Sequence, residues 1–219
     1  MTMKTVLLTG FEPFNGATIN PAWEAVRALS DWQGDGFQVV TRQLPCVFGL
    51  STRLMLDAIE ECKPDVVIAV GQAGGRPEIS VERVAINVDD APIPDNDGWQ
   101  PRDATIVSVG PAAYFSTLPI KAIAQAMRAR GVAANVSQTA GTFVCNHVFY
   151  GLMHFTHELP LIAGFIHVPY LPEQVLEKPG VAGMALDEMI EGLRAAVEVA
   201  VHGGVADGVA NAALGGATH

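Results

Sequence analysis

The sequence predicts an α/β fold: a three-layer α/β/α sandwich around a mainly parallel, twisted central sheet, built as a single domain. The first observation is a set of compact apolar runs, Thr5–Thr9, Val66–Val70 and Leu161–Val168, each ended by glycine or proline. Continuous apolar runs of that length belong to strands covered on both faces. The second is that segments with apolar residues at helical spacing alternate with those runs, as in parallel sheets flanked by helices. The third is size: 219 residues, 49% of them hydrophobic, suit one large domain with a substantial core. No internal repeat or linker composition interrupts the chain, so residues 1–205 are expected to form one unit. The Gly- and Ala-rich remainder, 206–219, is expected to be a flexible tail.

Taken in order, Thr5–Thr9 is the first buried strand, broken by Gly10 and followed by a turn-rich loop from Phe11 to Gly16. Pro21 opens a helix to Leu29, proline being favoured at the first helical position. Phe37–Leu44 is a strand ended by Pro45, and 49–62 carries Leu50, Leu54, Leu56, Ala58 and Ile59 in mostly helical order. Val66–Val70 is closed by the turn Gly71-Gln72-Ala73-Gly74-Gly75. That turn lacks the G-x-G-x-x-G pattern, and Pro77 with the β-prone residues after it argues against a following helix. Without a helix N-terminus the phosphate cradle is missing, which disfavours dinucleotide binding. Ile79–Val88 reads as one strand, which would place Glu82 on a face with Val84 and Ile86. Asp89–Pro101, rich in Asp, Pro and Asn around Trp99, reads as a loop near the site or at a subunit contact. Short strands are expected at Thr105–Val109 and Ala134–Ser137, with a helix from Pro119 to Arg130 between them that Gly131 stops. Val148, Leu152 and Phe155 predict a helix beginning near Cys145 and burying that face. Leu161–Val168 is the last buried strand. Met184–His202 is an amphipathic helix with Leu186, Ile190, Leu193, Val197 and Val201 on one stripe.

A formal net charge of −10 would repel phosphate backbones, so nucleic acid is excluded as a partner class. Only 16% of residues are charged, a sparse surface that hints at self-association through apolar faces. Cys46, Cys62 and Cys145 are odd in number and show no metal-ligand spacing, which suits a reducing cytoplasm. The apolar run ending at Gly10 is too short for a signal-peptide core or a membrane span, so no membrane association is expected.

Chemistry concentrates between Ser137 and Tyr150. Small and hydroxylated residues run into Ala140-Gly141, and Cys145 follows in an expected first helical turn. Unpaired backbone N–H groups and the positive end of the helix dipole there favour thiolate over thiol. A cysteine on its own reads equally well as a small buried apolar residue; the Gly turn before it and its partners tilt the reading to a nucleophile. His167 closes an apolar strand, and α/β clefts lie beyond the carboxyl ends of strands, although a lone histidine there also reads as a satisfied core residue. Glu82, a carboxylate on an apolar face, needs a cation or donor. Its neighbour Arg83 would point the opposite way along a strand, so another group must meet it. Together Cys145, His167 and Glu82 can supply a nucleophile, its base and the group that orients the base.

His147 is rejected as the base, because two residues along a helix is about 200° around the axis. His147, His154 and His157 could share a helix face, but seven residues span roughly 10 Å and no His-Glu-x-x-His is present. Solvent-exposed histidines and no metal site are the expectation. A serine route lacks its Gly-x-Ser-x-Gly elbow.

Four blocks in order resemble the pyroglutamyl peptidases, also called pyrrolidone-carboxylate peptidases, over Val6 to Gln174. They are Leu8-Thr9-Gly10-Phe11-Glu12-Pro13-Phe14 with Asn20-Pro21; Gly71 to Arg76 leading to Ser80 through Asn87; the cysteine block; and Gly164 to Pro172. The resemblance implies an α/β/α fold, Cys145 as nucleophile, His167 as base and later acid, and Glu82 as the group holding the imidazole. It implies an activity without metal or organic cofactor, and homo-oligomers, dimeric or tetrameric. The implied reaction removes N-terminal 5-oxoproline from peptides through a thioester, with amides near Cys145 as oxyanion donors. The ring is small, flat and uncharged, so apolar walls and a few lactam hydrogen bonds would recognise it. Phe11, Phe14 and Phe143 resemble such walls, although each also reads as ordinary core. Gln72 and Asn20 fall near the polar edge, with Ile93 and Val144 in the same pocket. One departure stands out: Pro92 occupies a position where the family commonly carries arginine. Two other readings stay open, a thiol amidase acting on another small acyl or cyclic group and a weakly active binding module on the same fold.

Overall fold

The three apolar runs form the middle of the molecule. β1 (Lys4–Phe11), β4 (Val66–Gln72) and β9 (Ile162–Val168) are buried along nearly their whole length. The computed structural model describes residues 3–203; the expected tail at 206–219 lies outside the described residues. Between β1 and β4 come α1 (Pro21–Arg27), β2 (Gln33–Gly34), β3 (Phe37–Leu44) and α2 (Leu50–Cys62). After β4 follow β5 (Ile79–Glu82), β6 (Val84–Ile86), β7 (Ala113–Phe115), α3 (Ile120–Ala129), β8 (Ala134–Ser137) and α4 (Val144–Thr156). β9 and α5 (Leu186–His202) complete the described chain.

One seven-stranded sheet has the order β2-β3-β1-β4-β9-β5-β8. β3, β1, β4 and β9 are mutually parallel; β5 reverses against β9, and β8 runs parallel to β5. Strand alternation then sorts side chains into two cores. Val6, Leu8, Ile68 and Ile166 face α1, α3 and α5, whereas Leu7, Val67, Ala69 and Phe165 face α2 and α4. This is the expected sandwich. Among the described residues no helix is long and apolar enough to cross a membrane.

Four expectations need correction. Ile79–Val88 is not one strand: at Arg83 the chain turns out of the large sheet, with Arg83 N–H bonded to Ser137 O and Arg83 O accepting from Ser116 N. Glu82 therefore ends β5, and Val84 and Ile86 belong to a separate β6–β7 ribbon. Thr105–Val109 is irregular because the Asn87 side chain takes both the N–H and the C=O of Val107, the groups a strand partner would need. The pairing strand is instead Ala113–Phe115. Gly71 and Gln72 are the end of β4 rather than a turn, since they pair with His167 and Val168. Finally, α4 buries Val148, Phe149, Leu152 and Met153 but leaves Phe155 46% exposed.

Candidate active site

Register places the site. On β4 and β9, Gly71 lies beside His167; on β9 and β5, His167 lies beside Ser80. Side chains two apart share a face, so Glu82 is the diagonal neighbour of His167 on the side facing α4. Diagonal neighbours lie within reach of long side chains, and Glu82 Oε1 stands 2.7 Å from His167 Nδ1. The carboxylate is fully buried and the imidazole nearly so.

The group that meets Glu82 from the other side is Arg76, whose Nη1 lies 2.5 Å from Glu82 Oε1. Arg76 also donates to Ser137 Oγ at 3.3 Å and, through Nη2, to Thr139 O at 2.8 Å. It thus ties the carboxylate to the loop that leads into α4. Burial would raise the Glu82 carboxyl, but the bond from His167, Ser137 and the nearby Arg76 guanidinium outweigh it and hold it below the ordinary carboxylate value. Sequence reasoning supplied His167 as a partner of Glu82 but not Arg76. The signal was present as an arginine after the Gly71–Gly75 stretch, but nothing in the spacing pairs positions 76 and 82 across a turn.

Cys145 is the second residue of α4, as expected. Gly141, with φ +79°, makes the preceding turn, and Thr142 Oγ1 donates to Asp90 O at 2.7 Å while Asp90 N donates to Thr142 O. Asn146, fully buried, locks the first turn against β6: its Nδ2 donates to Ile86 O and Val88 O, and its Oδ1 accepts from Ile86 N. The helix has no side-chain N-cap bond at Phe143, so its first N–H groups are available to an anion. Burial pushes the Cys145 thiol up to about 12, the Glu82 charge adds to that rise, and Arg76 opposes it. Desolvation outweighs what the helix start and Arg76 supply, so the net pull on this thiol is upward.

Cys145 and His167 line one cavity of about 420 Å³. Phe11, Phe14 and Phe143 wall it, Gln72 and Asn20 reach its edge, and Arg76 and Pro92 complete the lining. The Phe14 and Phe143 rings are 6.0 Å apart between centroids. Asn20 is committed to structure: Oδ1 caps α1 at Ala22 N and Nδ2 donates to Glu12 O. Ile93 and Val144 are not on the wall; Val144 is fully buried in the α2/α4 core. Cys46, unremarked as a site residue, also lines the cavity.

Two of the other histidines depart from the expected exposure. His147 lies 2.8 Å from Asp89 Oδ2 through Nδ1 and accepts from Gly49 N through Nε2, and His154 Nδ1 is 2.8 Å from Tyr114 Oη. Both are partly buried bridges between elements; His157 is exposed. Among the described residues no group of three or more His, Cys, Asp or Glu is placed to hold a metal ion.

Comparison with known proteins identifies the family to which this chain is similar. A family model described as pyroglutamyl peptidase matches residues 4–203. The chain is 60% identical to a pyrrolidone-carboxylate peptidase of Cupriavidus necator over 202 residues, covering 91% of this chain and 94% of that one. It is 57% identical over 218 residues to the pyrrolidone-carboxylate peptidase of Klebsiella pneumoniae, covering 99% and 100%. The crystal structure of pyroglutamyl peptidase I from Bacillus amyloliquefaciens superposes with a TM-score of 0.89 at 47% identity, covering 92% of this chain and 96% of that one.

Proposed function

The chain belongs to the pyroglutamyl peptidase family, and from that premise we propose that Cys145, His167 and Glu82 carry out its reaction. The protein is a cysteine peptidase that removes the N-terminal pyroglutamyl group from peptides. The observation that supports these three residues is the Glu82–His167 bond inside the cavity that also holds Cys145.

With Nδ1–H donating to Glu82, the lone pair of His167 lies on Nε2, and that nitrogen is the base. The neutral thiol gives its proton to Nε2 as Sγ attacks the carbonyl that follows the lactam ring. Backbone N–H groups at the start of α4 receive the developing oxyanion. Collapse of the adduct breaks the C–N bond, and His167 returns the proton to the departing amine. Water, deprotonated by the same imidazole, then attacks the thioester and releases pyroglutamate and the thiol. Glu82 stays ionised throughout and stabilises the transient imidazolium. Phe11, Phe14 and Phe143 sandwich the flat ring, and Gln72 meets the lactam edge.

Hydrolysis of a pyroglutamyl chromogenic amide beside a prolyl amide tests the assignment. Cys145→Ala abolishes turnover and His167→Ala nearly does, iodoacetamide inactivates, and EDTA has no effect. Activity surviving Cys145→Ala removes the nucleophile assignment.

The peptidase unit is taken as residues 1–205, acting in the cytoplasm, and all three cysteines are free thiols. Assembly into a dimer or tetramer is supported by exposed Val109, Phe115, Phe155 and Leu159. Light scattering on the eluted protein measures it.

A further inference from the structure

A second cavity, of about 430 Å³, adjoins the one that holds Cys145 and shares Phe14 and Gln72 with it. Tyr170, Gln174 and Lys178 also line it. Its position follows from the parallel pair β4 and β9. Gly71 and His167 are level in that pair, so Gln72 and, past the end of β9, Tyr170 lie further along in the same direction.

Resting on the proposed reaction, we propose that this cavity is the subsite for the peptide that follows the pyroglutamyl group, with Lys178 meeting its terminal carboxylate in a dipeptide. The ring fills the phenylalanine-walled cavity, the scissile carbonyl lies at Cys145, and the amine leaves from the side where His167 protonates it. The chain attached to that amine must then cross Gln72, and the second cavity opens there. Its wall is already built. Gln174 Nε2 donates to Gln72 Oε1 at 3.1 Å and lies 3.4 Å from Ile19 O, while its Oε1 accepts from Leu171 N. That strut fixes the Gln72 amide through its oxygen, and its NH₂ stands ready to donate to a substrate carbonyl. Lys178 Nζ stands 4.0 Å above the Tyr170 ring centroid, and among the described residues it has no ion-pair partner. An ammonium on the lining of a peptide-sized cavity attracts a carboxylate, while Glu173 on the same lining disfavours a second acid.

The test compares kcat/KM for pyroglutamyl-alanine, pyroglutamyl-alanine amide and pyroglutamyl 4-nitroanilide in the wild type, Lys178→Met and Lys178→Arg. The expected result is a loss of about threefold to fivefold for Lys178→Met on pyroglutamyl-alanine alone, recovered by Lys178→Arg. Equal losses on all three substrates, or no loss on pyroglutamyl-alanine, overturn the subsite while the anilide activity still upholds the family reaction. A wild type inactive on the anilide overturns both.

Discussion

Gly71 faces Cys145 so closely that a Cβ at position 71 would meet the cysteine sulfur at 2.8 Å and the Phe165 ring at 2.9 Å. Glycine here is a matter of space: the missing side chain makes the seat of the thiol on the strand that neighbours His167. Gly71→Ala should therefore push Sγ from its place, lowering kcat by about tenfold to a hundredfold. The crowding should destabilise the fold by about 1–3 kcal/mol. Turnover of the chromogenic amide together with a denaturant melt measures both, and unchanged kcat refutes the steric account.

The Cys145 thiol is raised to about 12 by its burial and by Glu82. Far below that value, each pH unit multiplies the thiolate fraction tenfold. The rate of inactivation by iodoacetamide should climb by that factor per unit between pH 7 and pH 10 without levelling. A plateau near neutrality would reveal a thiolate–imidazolium pair at rest instead.

Glu82 is held below its ordinary value of 4.5, so its ionised form favours the folded state. That contribution is complete above the unfolded value and is lost as pH falls through the lower folded value. The stability advantage of wild type over Glu82→Gln should be largest near pH 6–7 and shrink on acidification below about pH 4. The variant should also lose on the order of a hundredfold in kcat, because nothing then fixes the tautomer of His167. A pH-independent difference in melting temperature would contradict the linkage.

Arg76 touches Glu82, Ser137 and Thr139 but is assigned no contact with the reacting atoms, so it positions the machinery. Arg76→Ala should reduce kcat about tenfold with KM little changed. Arg76→Lys should recover part of that, since an ammonium replaces the charge but not the fork that reaches three partners. A change confined to KM would place Arg76 in substrate binding.

Asn146 makes three backbone bonds from a fully buried position. Asn146→Leu should cost roughly 2–4 kcal/mol, because those peptide groups then stay buried without partners. Urea titration is the check.

How much of this was legible follows from what kind of force places each part. The strands Phe37–Leu44 and Ala134–Ser137 and the helices around α2, α3 and α5 were readable because period and end signals are local. Gly131 and Gly141 stop or turn the chain where their positive φ requires it. The break at Arg83 was not readable, since β-branched residues suit both the sheet strand β5 and the ribbon strand β6. Nor was the loss of Thr105–Val109 as a strand, which depends on one side chain, Asn87, arriving from 20 residues away.

The site divides in the same way. Cys145 after a glycine turn, His167 at the end of an apolar strand and Glu82 among apolar neighbours are chemically conspicuous residues, and the chain announces them without any fold. Their mutual placement comes from sheet register, which pairs Gly71 with His167 and His167 with Ser80 through backbone hydrogen bonds that carry no residue-specific signature. Only tertiary structure could also bring Arg76 against Glu82 and Ser137 and raise the Cys145 thiol by burying it. Each of these is decided by burial and by partners distant in the chain, quantities that a linear order of residues does not contain.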